Sequence, residues 1–382
     1  MKKIFILILC TVFAVIYTVF GLGVTVYAQY SDDISEELEI DTDSITDSLS
    51  SDVLGVMEEN SITPDNTGAM TEISPKDVFG YIWQQFRLAL TKPLRTLASL
   101  IGIILIAAVI ECMEDSISNK SLSKIFGIIC VMISVGIISE SVSESIASAA
   151  NALDSGGTFM IGYVPVFAGI TASSGSITSA VAYDMLVLFV AEAAIQLSGE
   201  IIIPALSVCM AMGIVEAINP DFKLSGITEG VKKTVSFALG FIMTVFIGLL
   251  SLQSIVGASA DTLGVKAAKF MVSNCIPVVG GAIADTYATV KSSLGLLRGG
   301  VGFFGIAAIF IMILPPILEI AAMKLIFTIA DIVSELFGAA QVKTLIKNTN
   351  WILSTVFGIL ICFSVMLIIS TAILMLVGLN IS

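Results

Sequence analysis

The sequence predicts an all-α, polytopic integral membrane protein made of two tandem structural repeats, with broken or re-entrant helices at Pro-Gly segments. Three observations carry that expectation. Of the 382 residues, 56% are hydrophobic and 13% are charged, about half the charge of an ordinary soluble domain. The apolar residues gather into runs of the ~18 or more needed to cross a hydrocarbon core of about 30 Å. In the second half of the chain, prolines and glycines recur in the same order at a nearly constant offset. With a net charge of −13, the chain is also excluded from the basic nucleic-acid binders.

The amino end reads as an export signal over residues 1–28. Lys2 and Lys3 precede an apolar run from Ile4 to Phe20, and Val26-Tyr27-Ala28 places small residues before a cleavage point. An uncleaved first anchor is the competing reading, because the apolar run is long for a signal. Residues 29–75 follow as an acidic extracytoplasmic segment, with thirteen Asp and Glu between Gln29 and Pro75 and no Lys or Arg. Acid-rich segments do not oppose export. The segment reads as a solvated spacer, although Ile45, Leu49, Val53 and Met57 recur every fourth residue and would line one helix face that docks on a partner.

Ser74-Pro75-Lys76-Asp77 carries a cap, a proline at the first helical position and an acid three residues past the cap. An amphipathic helix is expected over 76–95, lying in the membrane interface, with Phe79, Trp83 and Phe86 on one side and Arg87, Lys92 and Arg95 near the other. Residues 96–158 supply a first membrane hairpin and linker. Further apolar runs cover 181–199, 201–218, 234–256, 301–318, 320–337 and 351–378. Val181–Ile218 as one helix would be about 57 Å long, so a hairpin, or a span plus an interfacial piece, is expected there.

Two segments read as interrupted helices. Gly162–Ala180 contains Pro165 and Gly169, then a Ser/Thr/Gly-rich run; Asn274–Ser293 contains Pro277 and Gly281. Proline removes an amide donor and glycine loosens the backbone. The two are offset by 112 residues, as are Pro204 and Pro316, and Gly226 and Gly338. Two repeats are therefore expected, at 159–268 and 269–382. The basic residues Lys223, Lys232, Lys233 and Lys343, Lys347 fall in corresponding connections. Duplicated bundles with interrupted helices are a common transporter plan, while kinks used only for packing are the plainer reading.

Ionisable residues at membrane depth are costly and should face a partner or water. Glu192 is the most central acid of its run, and Lys324 and Asp331 are nearly eclipsed on one helix face with Thr328 between them. Pro165, Gly169, Glu192, Pro277, Gly281, Lys324 and Asp331 are the candidate pathway or helix-break residues, with Glu192 and Lys324 expected to be buried. No catalytic residue, cofactor or metal is expected. There is no histidine, which excludes Ser-His-Asp and Cys-His nucleophiles and His relays. The six cysteines are scattered singly without a CxxC spacing. Gly300-Val301-Gly302-Phe303-Phe304-Gly305 matches GxGxxG but opens an apolar span with no strand before it, so it is not a nucleotide loop. No phosphate-binding GxxxxGK[ST] motif is present either, so any energy input must come from a gradient or a partner.

The stretch Tyr163-Val164-Pro165-Val166-Phe167-Ala168-Gly169-Ile170-Thr171-Ala172-Ser173-Ser174-Gly175, with Ala217-Ile218-Asn219-Pro220 and Cys275-Ile276-Pro277-Val278-Val279-Gly280-Gly281, resembles the stage III sporulation protein AE family of endospore-forming bacteria. The likeness runs from about Asp77 to the end. It implies a non-enzymatic, multi-pass, permease-like subunit in the mother-cell membrane around the forespore. There it would belong to a mother-cell-to-forespore channel or secretion complex. The implied partners are other stage III sporulation membrane proteins, a cytoplasmic secretion-type ATPase, ring-forming proteins between the two membranes, and the lipid bilayer, with no nucleic acid. A stand-alone secondary transporter of a small solute, coupled through Glu192 or the Lys324/Asp331 face, is the alternative.

Overall fold

Apolar runs separated by short polar turns give helices, and a computed structural model of the chain is built of little else. It describes residues 43–60, 62–63, 75–114, 120–219, 222, 224–275 and 280–377, and among these every regular element is helical. The elements are α1 (Asp43–Asp47), α2 (Ser51–Glu59), α3 (Pro75–Glu114), α4 (Lys120–Ser173) and α5 (Ile177–Gln196). After a π-helical segment, Leu197–Ile202, come α6 (Ile203–Ile218), α7 (Ser225–Cys275), α8 (Gly280–Leu336) and α9 (Ala340–Val377). The expected signal, residues 1–28, and Pro277 lie outside the described residues. Helices α3, α4, α7, α8 and α9 each contain a stretch long and apolar enough to cross a membrane. The chain is a multi-pass membrane protein.

Helices α8 and α9 form an antiparallel pair that is the centre of the molecule. Near the turn, Asn350 Nδ2 donates to Thr328 Oγ1 at 3.1 Å; at the far end Arg298 Nη2 donates to the Met375 carbonyl at 3.1 Å. Helix α4 runs antiparallel to α8, with Ser148 Oγ donating to Glu319 Oε2 at 3.1 Å and Tyr163 Oη to the Val301 carbonyl at 3.3 Å. Helix α3 closes against α4 through the Thr96 and Ser141 hydroxyls, 3.0 Å apart, and an ion pair of Lys92 with Glu144 at 3.2 Å. The most apolar stretch of α9 is 83% buried, and that of α7 only 17%. Lipid offers helices no hydrophobic incentive to associate, so close packing and interhelical hydrogen bonds must hold this centre together.

Several helices are longer than the sequence suggests. At 57 residues α8 is about 85 Å long, so it extends well beyond a hydrocarbon core of about 30 Å. The runs 301–318 and 320–337 are one helix that continues through Pro315 and Pro316. Likewise α3 is unbroken between 76–95 and 96–113, and the boundary expected at residue 158 falls inside α4. Val181–Ile218 is not a hairpin. Helices α5 and α6 follow end to end, and Ile202 keeps helical angles of φ −74° and ψ −46°. The six-residue π turn lies just before Pro204, whose missing N–H leaves the Glu200 carbonyl without its helical donor and favours the wider winding.

The described part of the acidic segment, residues 43–60 and 62–63, is not a solvated spacer. Ile45, Leu49, Val53, Met57 and Ile62 are all buried, with α1 against α4 and α2 against α8. The four-residue spacing is thus a docking face whose partner is the chain's own membrane body.

Helix α4 passes through Pro165 without a break and ends at Ser173. Pro165 lies on the exposed side of α4, where its bulk meets no packed neighbour and its missing N–H disturbs only the outer face. The reversal comes at Gly175, with φ 91°. There Ser176 N–H donates to the Thr171 carbonyl at 3.2 Å and Gly175 N–H to the Ala172 carbonyl at 2.9 Å, the pairing of a Schellman end. Gly338, at φ 77°, ends α8 in the same way through Ala339 to Ser334 and Gly338 to Glu335. Because a side chain is strained at positive φ, Gly175→Ala is expected to cost about 1–2 kcal/mol. Gly169→Ala, where an added Cβ meets nothing within 4 Å, is expected to be neutral or slightly stabilising. Thermal unfolding of the two variants in detergent distinguishes a break at Gly175 from one at Pro165-Gly169.

Candidate functional site

The stretch Tyr163–Gly175 leads into a buried polar junction where α4 turns into α5. Phe159, Tyr163 and Phe167 recur every fourth residue, so they stack along the inner face of α4. Their ring centroids are 5.2 Å apart at each step, and Phe167 meets Tyr183 of α5 edge-on at 6.0 Å. All of these aromatics are buried. The ladder fits because α8 presents glycine to it. A Cβ at Gly305 would run into the Tyr163 ring, and one at Gly302 would meet Met375 and Phe167. The GxGxxG match in α8 is therefore a surface for close helix packing, which is the use membrane helices make of small residues.

Two buried charges hold helix ends at this junction. Asp261 of α7, 5% exposed, accepts from the Thr178 N–H at 2.8 Å through Oδ1 and from the Ser179 N–H at 3.1 Å through Oδ2. These are amide donors that the first turn of α5 cannot satisfy internally, and a carboxylate there is favoured by the helix dipole. One turn earlier, Gly257 permits the approach, since a Cβ would lie 3.1 Å from the Ser179 Cα and 2.6 Å from its Oγ. At the other pole Arg298, 2% exposed, donates to the Met375 carbonyl in the last turn of α9, where a cation is favoured for the same reason.

Between these caps lies a group of hydroxyls and amides. Ser370 and Thr371 of α9 stand beside the Tyr183 hydroxyl, each donating its own proton to the Leu367 carbonyl. The Ser176 and Ser179 Oγ and Gln253 Oε1 atoms are buried and make no hydrogen bond among the described residues. A cavity of about 20 Å³ bounded by Ser179, Tyr183, Gln253 and Ser254 adjoins them, room for about one water molecule. The junction offers hydrogen-bonding groups at depth, with Asp261 and Arg298 bonded to backbone and the Asp184 carboxylate close enough to Tyr183 to act on it electrostatically.

The residues singled out from sequence do not converge here. Pro165 and Gly169 point away from the aromatic ladder, on the exposed side of α4. Glu192 is exposed rather than buried, accepting from Gln196 Nε2 at 2.7 Å along its own helix. Lys324 is half-buried, with its ammonium 4.8 Å from the centroid of the Phe357 ring, a favourable cation–π distance. Asp331 is two turns on, half-buried, its carbonyl accepting from Ser334 Oγ at 2.8 Å and its Oδ1 buried without a hydrogen bond among the described residues. Lys324 and Arg298 are separated by about 39 Å along α8. Gly281 lies in the first turn of α8, and Pro277 is outside the described residues.

Comparison with known proteins settles the family. A family model described as Stage III sporulation protein AE matches residues 62–378. The chain belongs to the stage III sporulation protein AE family. The Stage III sporulation protein AE of Bacillus subtilis (strain 168) is 23% identical over 284 residues, covering 74% of this chain and 71% of that protein. No solved structure matches the chain. The aromatic ladder, the Gly175 turn and both buried charges lie inside the matched region, as does every candidate residue named from sequence.

Asp261 and Arg298 escaped the sequence reading, although Arg298 is a lone cation in an apolar run and obeys the same rule that picked out Lys324. For Asp261 the local signal was the small residue one turn before it, Gly257. Asp261→Ala removes two charge-assisted bonds at a helix start and is expected to destabilise the protein by about 1–2 kcal/mol, with Asp261→Asn losing less. Thermal unfolding of both, alongside proteolysis at the α4–α5 turn, checks this; unchanged stability of the alanine variant would show that the turn does not depend on Asp261.

Proposed function

We propose that this family member is the multi-pass, permease-like subunit of a channel or secretion complex connecting mother cell and forespore during sporulation. In this reading it sits in the mother-cell membrane around the forespore, with the acidic amino-terminal segment on the extracytoplasmic side. It is not an enzyme. Energy comes from a cytoplasmic secretion-type ATPase, and ring-forming proteins between the membranes extend the path. The observation that carries the proposal is the family match over residues 62–378, laid on a body with, among the described residues, five helices suited to crossing a membrane. The absence of a phosphate-binding loop from the sequence supports dependence on a separate motor.

The distribution of burial supports a path at the periphery. Helices α8 and α9 are filled with side chains, their most apolar stretches 72% and 83% buried. The outer faces of α3, α4 and α7 carry large exposed apolar residues such as Ile106, Met132 and Phe237. A conduit for anything larger than an ion therefore forms between subunits rather than through the middle of one chain. The alternative, a stand-alone carrier coupled through Glu192 or the Lys324/Asp331 face, needs coupling groups around a shared interior; Glu192 is on the outside, and the half-buried Lys324 and Asp331 are what that reading would rest on.

The duplication is part of the same proposal. In residues 159–268 and 269–382 a helix carrying proline, Pro204 or Pro316, is followed by a glycine near the start of the closing helix, Gly226 in the first turn of α7 or Gly338 in the turn before α9, and then by that long closing helix. That shared order supports two tandem units, whether parallel or inverted.

Affinity purification of the full chain from sporulating cells tests the proposal. Co-purification with a secretion-type ATPase and with extracytoplasmic ring-forming subunits is expected, and loss of the ring subunits on deleting residues 29–75. Gradient-driven solute uptake by the purified protein alone in liposomes, abolished by Glu192→Gln, would establish the carrier instead.

A further inference from the structure

A second region combines charge and an apolar recess. Lys232 and Lys233 lie in the second and third turns of α7, and Lys347 in the second to third turn of α9. The Lys232 ammonium is 5.9 Å from the centroid of the Trp351 ring, and the like charge of Lys347 acts on it. Glu229 pairs with Lys233 at 3.2 Å and its charge also reaches Lys232, while Lys343 pairs with Glu335 at 3.2 Å, so Lys232, Lys233 and Lys347 together outweigh Glu229 and leave net positive charge beside a tryptophan. Lysine with tryptophan is the side-chain pairing of a membrane–water interface.

About 10 Å further along α7 a crevice of about 360 Å³ opens between α5, α7 and α9. Leu186, Val190, Leu239, Ile242, Ile359 and Phe363 form its walls. Its mouth faces outward between Phe189 and Phe241, both largely exposed. From Leu239 to Leu249 the crevice follows α7 for about 15 Å, half the thickness of a hydrocarbon core of about 30 Å, the depth of one leaflet. An apolar recess of this kind does not hold water, and at this depth a bilayer supplies hydrocarbon.

We propose that this is a binding site for an anionic phospholipid, its phosphate held by Lys232 and Lys347 beside Trp351 and one acyl chain seated in the crevice between α5, α7 and α9. The basic cluster and the recess lie in register along the same two helices, α7 and α9, as headgroup and chain do in one lipid. A neutral lipid could fill the recess but would leave the two lysines unanswered. The site is separate from the polar junction at the α4–α5 turn and does not depend on the sporulation complex.

The test uses the full chain reconstituted in phosphatidylcholine bilayers containing a trace of phosphatidylglycerol, or of phosphatidylcholine, bearing a photoreactive acyl chain. Cross-linked residues are mapped by mass spectrometry. The phosphatidylglycerol probe is expected to label the crevice segments 186–193, 239–249 and 359–366 over the phosphatidylcholine probe. The preference should be about fivefold for each lysine engaged. Lys232→Gln with Lys347→Gln should bring the two probes to parity while labelling of the exposed outer face of α7, around Ile255, stays unchanged. Ala193→Phe, placed at the exposed edge of the crevice, should block labelling inside it for both probes. Unlabelled phosphatidylglycerol should compete on the unmodified protein, so the proposal stays testable if a variant does not fold. Equal labelling by both probes, labelling no stronger in the crevice than on the outer face of α7, or cross-links from the crevice to a second copy of the chain would each overturn it.

Discussion

The constraint on which this molecule depends is that helix ends and charges away from water must find partners within the protein. A helix leaves amides unsatisfied at its start and carbonyls unsatisfied at its end, and in a hydrocarbon setting each such group is costly. Asp261 answers the start of α5 and Arg298 the end of α9. Each comes from a different helix than the one it caps, so two local requirements become two interhelical ties. The α4–α5 turn, the far end of the α8–α9 pair and the approach of α7 are fixed together by them.

Glycine works alongside those ties in two distinct ways. Gly175 and Gly338 supply positive φ for Schellman ends and let long helices reverse in a single turn. Gly257, Gly302 and Gly305 are ordinary helical residues whose missing Cβ lets a neighbour come close, whether the start of α5 or the aromatic ladder of α4. In a setting where apolar contact with a neighbouring helix is little better than contact with lipid, such close approach is what makes one arrangement preferable to another.

Burial is distributed unevenly, and this bears on function. The α8–α9 pair is enclosed, whereas α3, α4 and α7 turn apolar surface outward. A protein of this design has a closely packed interior and an apolar periphery suited to contact with lipid. The docking of α1 and α2 on that body places residues 43–59 against the membrane domain itself.

Hydropathy, acidity and spacing determined that this is a helical, multi-pass membrane protein with an acidic leader, and the Tyr163–Gly175 motif pointed to its family, because these are properties of single segments in contact with their solvent. The four-residue stripe from Ile45 to Met57 was legible as a helix face, but not the surface it covers. Only tertiary structure decided that Pro165 lies on an outer helix face, that the reversal falls at Gly175, and that Glu192 is exposed. It also brought Asp261, Tyr183, Arg298 and Thr371, drawn from four helices, to one junction. The reason is physical: whether a proline breaks a helix or a charge is buried depends on which neighbours satisfy the freed backbone and the ion, and those neighbours lie tens of residues away along the chain.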